Sequence, residues 1–361
     1  MKVLLLADAS SPHTDRWIRG LESIGHQLTL ASFQEPWEPG RKIIRLQGRG
    51  KLRYWMPSQQ IRALADEHDA VLAHFLPAYG VSAWRAGVPF VLVLWGSDIL
   101  VWPFRDAFRF MLARRVLSSA RWVVTDSVAV RRILQLNFGY PTDRVLIFPF
   151  GPEFDALSFP AVQKHENLLI FPRAAESIYS PITAIEALGL LGEKGRSLRL
   201  VFTMAGSMAG ECRRAAEAIQ VNVEFKGPLP RRDYLGLVGM AGLYLSLALS
   251  DATPVSLLEA MAMRAFPIVS DLPAIRDWVI DGINGFLVDP RSPASVASAI
   301  ERALDDAILV DNARNINQML IRERGPWTTY LQAITEVLLR TRQLGRPELK
   351  PGKKGAFWSY L

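Results

Sequence analysis

Asp251 and Glu259 stand with seven residues between them, Ala252-Thr253-Pro254-Val255-Ser256-Leu257-Leu258. That spacing suits two acids placed on either side of a bound anion. Thr253 has the side chain of a helix N-cap and Pro254 the fixed φ of a first helical residue, so a helix is expected to open here. The amides of Val255, Ser256 and Leu257 would then lack partners within the helix and, with the positive end of the dipole, would form an anion site. A diphosphate fits such a site. Glu259 lies five residues beyond Pro254, about 7 Å along a helix axis. There a carboxylate escapes repulsion by phosphate and can accept hydrogen bonds from ribose hydroxyls. Asp251, in the turn before the helix, faces the other side of the diphosphate, where the sugar of a nucleotide sugar would lie.

A second set of residues falls in the first half. His74 follows the apolar run Ala70–Ala73, at the end of a strand where open α/β sheets bind ligands. An imidazole there can bond a sugar hydroxyl or steady developing charge. Asp98, in Trp95-Gly96-Ser97-Asp98, serves either as an acceptor contact or as a helix cap, and His13 opens the first helix. No His, Cys and carboxylate spacing suggests a metal site, and no Asp-x-Asp is present to hold a metal-bound diphosphate, so no metal or other cofactor is expected. The G-x-G-x-x-G fingerprint that a nicotinamide-dependent oxidoreductase or epimerase would need after an early strand is missing.

These residues need a frame. Short apolar runs alternate with helix-period segments along the chain, the order of a parallel sheet covered by helices. One series runs from the strand Val3–Ala7 to Val145–Phe148, and a second starts at Leu168–Phe171 and passes through Gly242–Leu247, Val255–Met263 and Pro267–Ser270. The expected fold is therefore α/β, with two doubly wound, Rossmann-like parallel-sheet domains and a cleft between them. Residues 1–160 form the acceptor-side domain and 161–325 the nucleotide-sugar domain. Residues 326–341 make a final helix, with a return to the first domain as one placement, and 342–361 a basic tail.

Length and composition agree with this frame. The 361 residues are half apolar and 21% charged, enough for two packed cores. Cys212 is the only cysteine, which excludes a disulfide framework and fits a reducing compartment. The N-terminal run MKVLLLADAS turns polar too soon for a signal peptide, and no stretch reaches the roughly 18 apolar residues of a membrane span. A cytoplasmic protein is expected, at most peripheral on the inner face of the plasma membrane.

The net charge of +7 is uneven: residues 1–160 hold 19 basic against 14 acidic side chains, 161–339 hold 17 against 20, and the tail from 340 holds 6 against 1. Val101–Arg115 interleaves aromatic and arginine residues as interfacial helices do, and the tail adds Lys350, Lys353, Lys354, Phe357 and Trp358. Packing with a basic outer face and contact with an anionic membrane surface both remain open. Nucleic acid is not an expected partner.

The stretch SDATPVSLLEAMAMRAFPIVSD, with Gly282-Ile283-Asn284-Gly285-Phe286-Leu287 after it, resembles glycosyltransferase family 4, the retaining enzymes of GT-B fold also described as glycosyl transferases group 1. The resemblance extends to His13–Trp17, Trp95–Asp98, Phe148–Gly151 and Arg173. It implies a sugar transferase that moves a hexose-like unit, with retention, from a nucleotide-diphosphate sugar to a saccharide or lipid-linked acceptor in surface-glycan or lipopolysaccharide assembly. It also implies that Glu259 binds the ribose, Asp251 the donor sugar and the amides after Pro254 the phosphates. Arg173 would neutralise the leaving diphosphate and His74 would face the transferred sugar. The chain departs from the family pattern at Tyr179-Ser180-Pro181, where a lysine is usual, at Ala9–Pro12 in place of a Gly-Gly turn, and at Arg264 in place of glycine. Those departures keep a second reading alive, a GT-B scaffold that binds a glycan or protein without turnover.

Overall fold

The computed structural model describes residues 1–48, 50–151, 158–160 and 162–350. The positions Lys353, Lys354, Phe357 and Trp358 singled out in the tail lie outside the described residues. The chain divides into two compact units, Met1–Pro149 with Trp327–Leu361, and Phe150–Pro326.

The first unit is built on a seven-stranded sheet: β1 (Lys2–Leu6), β2 (Gln27–Ser32), β3 (Ile44–Arg45), β4 (Ala70–His74), β5 (Phe90–Val93), β6 (Ala120–Thr125) and β7 (Val145–Ile147). Their order is β3-β2-β1-β4-β5-β6-β7 and every pair is parallel. Val3 to Leu6 are fully buried, which is why the strand reads as a continuous apolar run rather than an alternating one. The covering helices are α1 (Pro12–Ser23), α2 (Ser58–Asp66), α3 (Val81–Ala86), α4 (Ser97–Leu100), α5 (Ala107–Leu117) and α6 (Val128–Phe138). The order of the strands reverses between β1 and β4, so the loops after these two strands open the crevice where such sheets take ligands.

The second unit repeats the plan with six strands: β8 (His165–Phe171), β9 (Arg199–Phe202), β10 (Asn222–Phe225), β11 (Ala241–Ser246), β12 (Phe266–Ser270) and β13 (Phe286–Val288), in the order β10-β9-β8-β11-β12-β13. Leu169 and Phe171 of β8 enter one core and Leu168 and Ile170 the other, as the two-residue period of a strand requires. Its helices are α7 (Pro181–Leu190), α8 (Glu193–Ser197), α9 (Ala209–Ile219), α10 (Arg231–Met240), α11 (Val255–Ala262), α12 (Pro293–Asp305) and α13 (Ala307–Arg324). Here the reversal falls between β8 and β11.

The last helix, α14 (Trp327–Thr341), belongs to the first unit and packs on α1 and β4. Gly20 makes that approach possible, because a Cβ there would fall inside the Trp327 indole. Trp17 meets Trp327 edge-on at 5.2 Å, and Phe148 lies 4.6 Å from the same ring. Among the described residues, no helix is long and apolar enough to cross a membrane.

Candidate functional site

In the second unit, the two strands flanking the reversal deliver the candidate residues. Arg173 follows the end of β8 at Phe171, and Asp251 lies in the loop after β11. Their side chains form an ion pair, Arg173 Nη2 to Asp251 Oδ2, in which both partners are largely withdrawn from solvent. Arg173 Nε also donates to the Ser246 hydroxyl at 3.4 Å, and Asp251 Oδ1 accepts from the Ala252 amide at 3.0 Å. Burial pushes the Asp251 carboxyl above its ordinary range while Arg173 opposes the shift. Burial also works against the Arg173 charge, yet Asp251 and the neighbouring tyrosines keep its pKa raised. A cation that stays charged under burial is what a departing diphosphate needs.

The usual lysine position is filled by Tyr179, whose ring the Arg173 guanidinium faces at 5.0 Å. That contact braces the arginine; it does not add a second positive charge.

Helix α11 begins one residue later than expected. Pro254 is the N-cap, in an extended conformation with no side-chain cap, and Thr253 precedes it. The Pro254 carbonyl accepts from the amides of Leu257 at 3.1 Å and Leu258 at 3.3 Å. The expectation of three open amides is therefore corrected: Leu257 is engaged by the cap carbonyl in a tight first turn. Val255 and Ser256 show no acceptor among the described residues, which leaves two N–H groups at the positive end of the helix. The Ser256 hydroxyl is 2.9 Å from the Tyr244 hydroxyl, and Tyr244 in turn is close enough to Arg173 to feel its charge. Arg173, Asp251 and the opening turn of α11 thus share one polar network at the carboxyl end of the sheet.

Glu259 lies on the buried side of α11. Its Oε1 accepts from Arg231 Nη1 at 2.6 Å, and the Tyr234 hydroxyl, also on α10, donates to the carboxylate. The ionic partner of Glu259 had no signal in the sequence, because Arg231 and Glu259 are joined only by the packing of α10 against α11. The Asn284 of the Gly-Ile-Asn-Gly turn has a different task. Fully buried, it donates to the Trp278 carbonyl at 2.9 Å and to Asn317 Oδ1 at 2.8 Å, which ties the turn to α13.

His74, the last residue of β4, belongs to the first unit and is 3% exposed. Trp17 meets its ring edge-on at 5.1 Å and Trp95 lies 5.5 Å away, with His13 tilted against Trp95 at 5.2 Å. Among the described residues, neither ring nitrogen has a hydrogen-bond partner. Burial, and then the neighbouring His13, hold its pKa down to about 3. It is a neutral imidazole with both nitrogens unspent. Asp98 is fully buried. Its carboxylate accepts from Leu76 N at 3.0 Å and from Trp95 N at 2.9 Å, joining the loops after β4 and β5 beside His74. Burial, set against those amides, raises it to about 6. The first of these loops carries Phe75 at φ 68°, strain that a side chain bears only where the surroundings impose it.

Among the described residues, no three His, Cys, Asp or Glu side chains gather as a cluster that could hold a metal. The turn Ala9–Pro12 forms without any positive φ, and Ser11 caps α1 through the His13 amide, so the glycines usual there are not needed for the backbone path.

Two such parallel-sheet, Rossmann-like units are the plan of the GT-B fold of glycosyltransferases. The sequence model of the family described as glycosyl transferases group 1 matches residues 156–319, and that described as glycosyl transferase 4-like matches residues 2–127. The chain belongs to the glycosyltransferases of this family and fold. The glycosyltransferase EpsD of Bacillus subtilis (strain 168) is 31% identical over 142 residues, which cover 39% of this chain and 37% of that one. The D-inositol 3-phosphate glycosyltransferase of Paenarthrobacter aurescens (strain TC1) is 22% identical over 208 residues, 54% of this chain and 51% of that protein. The chain thus spans only part of the length of these curated relatives. The solved structure of HepE from Anabaena in complex with UDP superposes with a TM-score of 0.77 at 15% identity, covering 94% of this chain and 99% of that one. At that identity the likeness speaks for the fold.

Proposed function

We propose that the protein transfers a sugar from a nucleoside-diphosphate sugar to a saccharide or lipid-linked acceptor, with retention at the anomeric carbon and without a metal. The observation that carries this reading is the grouping of Arg173, Asp251 and the two open amides of Val255 and Ser256 at one end of the second sheet. In the reaction the bond from the anomeric carbon to the diphosphate oxygen breaks as the acceptor oxygen bonds that carbon. The acceptor's proton leaves with the diphosphate. Charge gathers on the departing group, and Arg173 with the helix amides is placed to stabilise it. Asp251 orients the donor sugar, Glu259 takes the ribose hydroxyls, and His74 supplies a neutral hydrogen-bonding group on the acceptor-side unit.

Related structures favour uridine as the first nucleotide to try, since HepE was solved with UDP and with UDP-glucose. The name of TuaC, a teichuronic acid biosynthesis glycosyltransferase of Bacillus subtilis, supports surface-polysaccharide assembly as the setting. Contact with an anionic membrane is part of the proposal. On α5 and the turn before it, Phe108 and Met111 are 64% and 56% exposed, and Arg105 and Arg115 are exposed on the same segment. The test is a screen of nucleotide sugars for transfer and for slow donor hydrolysis, with Glu259→Ala as control. Turnover of one donor, lost in the control, is the expected result. Nucleotide binding with no turnover of any donor would favour the non-catalytic scaffold, to which Tyr179 in the lysine position already lends weight.

A further inference from the structure

The ion pair between Glu259 and Arg231 carries an inference that rests on the donor reading above and extends it. Glu259 is 4% exposed, and a buried carboxylate costs free energy unless an opposite charge and hydrogen bonds offset the loss of water. Both come from α10. Arg231, its first residue, reaches Oε1 at 2.6 Å while its own side chain stays 41% exposed. Tyr234, one turn further on, adds its hydroxyl and remains protonated, because burial and then the Glu259 charge push its pKa well up. The guanidinium also lies 5.8 Å over the Tyr234 ring. Arg231 and Glu259 form an ion pair separate from that of Arg173 and Asp251, with Tyr234 close enough to both to feel their charges.

We infer that Arg231 is a positioning residue for the nucleoside half of the donor: by pairing with Glu259 it fixes the rotamer in which that carboxylate receives the two ribose hydroxyls. A vicinal diol bonds better to a carboxylate whose plane is set in advance, since ordering it at the moment of binding would cost side-chain entropy. Arg231 acts through Glu259 and makes no phosphate contact, so its influence falls on ligands that carry a ribose and not on bare diphosphate.

The experiment is calorimetric titration of the full chain with uridine diphosphate and, separately, with inorganic pyrophosphate, for the wild type, Arg231→Met and Arg231→Lys. The expected result is a loss of about tenfold in uridine diphosphate affinity for Arg231→Met, with pyrophosphate affinity and melting temperature unchanged and partial recovery in Arg231→Lys. An equal loss for both ligands would place Arg231 on the phosphates and overturn the inference. So would undiminished or tighter uridine diphosphate binding, which would make the arginine a bystander or a competitor of the ribose. If Arg231→Met proves unstable, the same two-ligand ratio in Arg231→Lys decides the matter. Failure of the wild type to bind any nucleoside diphosphate would defeat the donor reading itself, and the inference with it.

Discussion

Arg173 and Asp251 hold each other in a partly dry setting, and that coupling sets what their substitution does. Arg173→Ala removes the cation expected on the leaving group and strands Asp251 without its ionic partner. Transfer should fall by at least about a hundredfold, the order seen when one charge-stabilising group is deleted from a reacting site. Arg173→Lys should recover only part, because a point charge cannot reproduce the planar fork. Initial rates with the donor found in the screen check this. His74 and Asp98 make opposite contributions to the pH dependence of stability. Burial holds the His74 pKa down to about 3 from its ordinary 6.5, so its contribution is present above pH 6.5 and lost as pH falls through about 3. Asp98 titrates at about 6 against 3.8, so its contribution is present below pH 3.8 and lost as pH rises through about 6. His74→Phe should shrink the drop in urea midpoint between pH 7 and pH 4, and an unchanged drop would contradict the buried neutral imidazole. At this scale type and spacing were enough to single out Arg173, Asp251, Glu259 and His74 as candidates, and the structure pairs the first two. The sequence could not show Arg231 or the burial of His74, since both follow from the packing of segments distant in the chain.

Helices explain both the successes and the misses of the sequence reading. Strong apolar runs such as Leu168–Phe171 and amphipathic segments such as Arg231–Met240 were plain because their patterns match strand and helix periods. The 18-residue α13 was not, because its buried stripe of Val310, Ala313, Arg314, Asn317 and Ile321 mixes polar with apolar residues. Asn317 bonds Asn284, and Arg314 pairs with Glu166 through Nη2 at 2.7 Å, so polar groups do the anchoring that a periodicity test assigns to hydrophobes. The shift of the α11 cap from Thr253 to Pro254 has a local cause: the proline holds an extended conformation and its carbonyl takes the Leu257 amide. Arg264 occupies the left-handed position after that helix at φ 64°, where glycine would carry no strain, and its Nη1 bonds Asn315 at 2.6 Å. The contact between α1 and α14 yields a sharper expectation. Gly20→Ala forces the Trp327 ring to move and should cost about 1–3 kcal/mol, read as a lowered melting temperature. A melting temperature equal to that of the wild type would mean that α14 does not dock there in solution.

For the whole molecule, the two-unit α/β plan was legible from the restart of the strand–helix alternation near Leu168, whereas the return of the last helix to the first unit rests on Gly20 and Trp327 and leaves no periodic trace. The exposed Phe108 and Met111 among arginines belong to this scale too, since they concern where the protein works. Phe108→Asp with Met111→Asp should weaken sedimentation with anionic phospholipid vesicles while leaving nucleotide binding intact, and equal sedimentation would remove the membrane from the account. The central claim is that a diphosphate settles on the open amides of Val255 and Ser256 beside Arg173. Hydrogen exchange of the full chain, with and without uridine diphosphate, tests it most directly. Slowed exchange at those two amides and in the loop carrying Asp251 is the expected result. Nucleotide binding that leaves both amides exchanging as before, with protection appearing elsewhere, would contradict it.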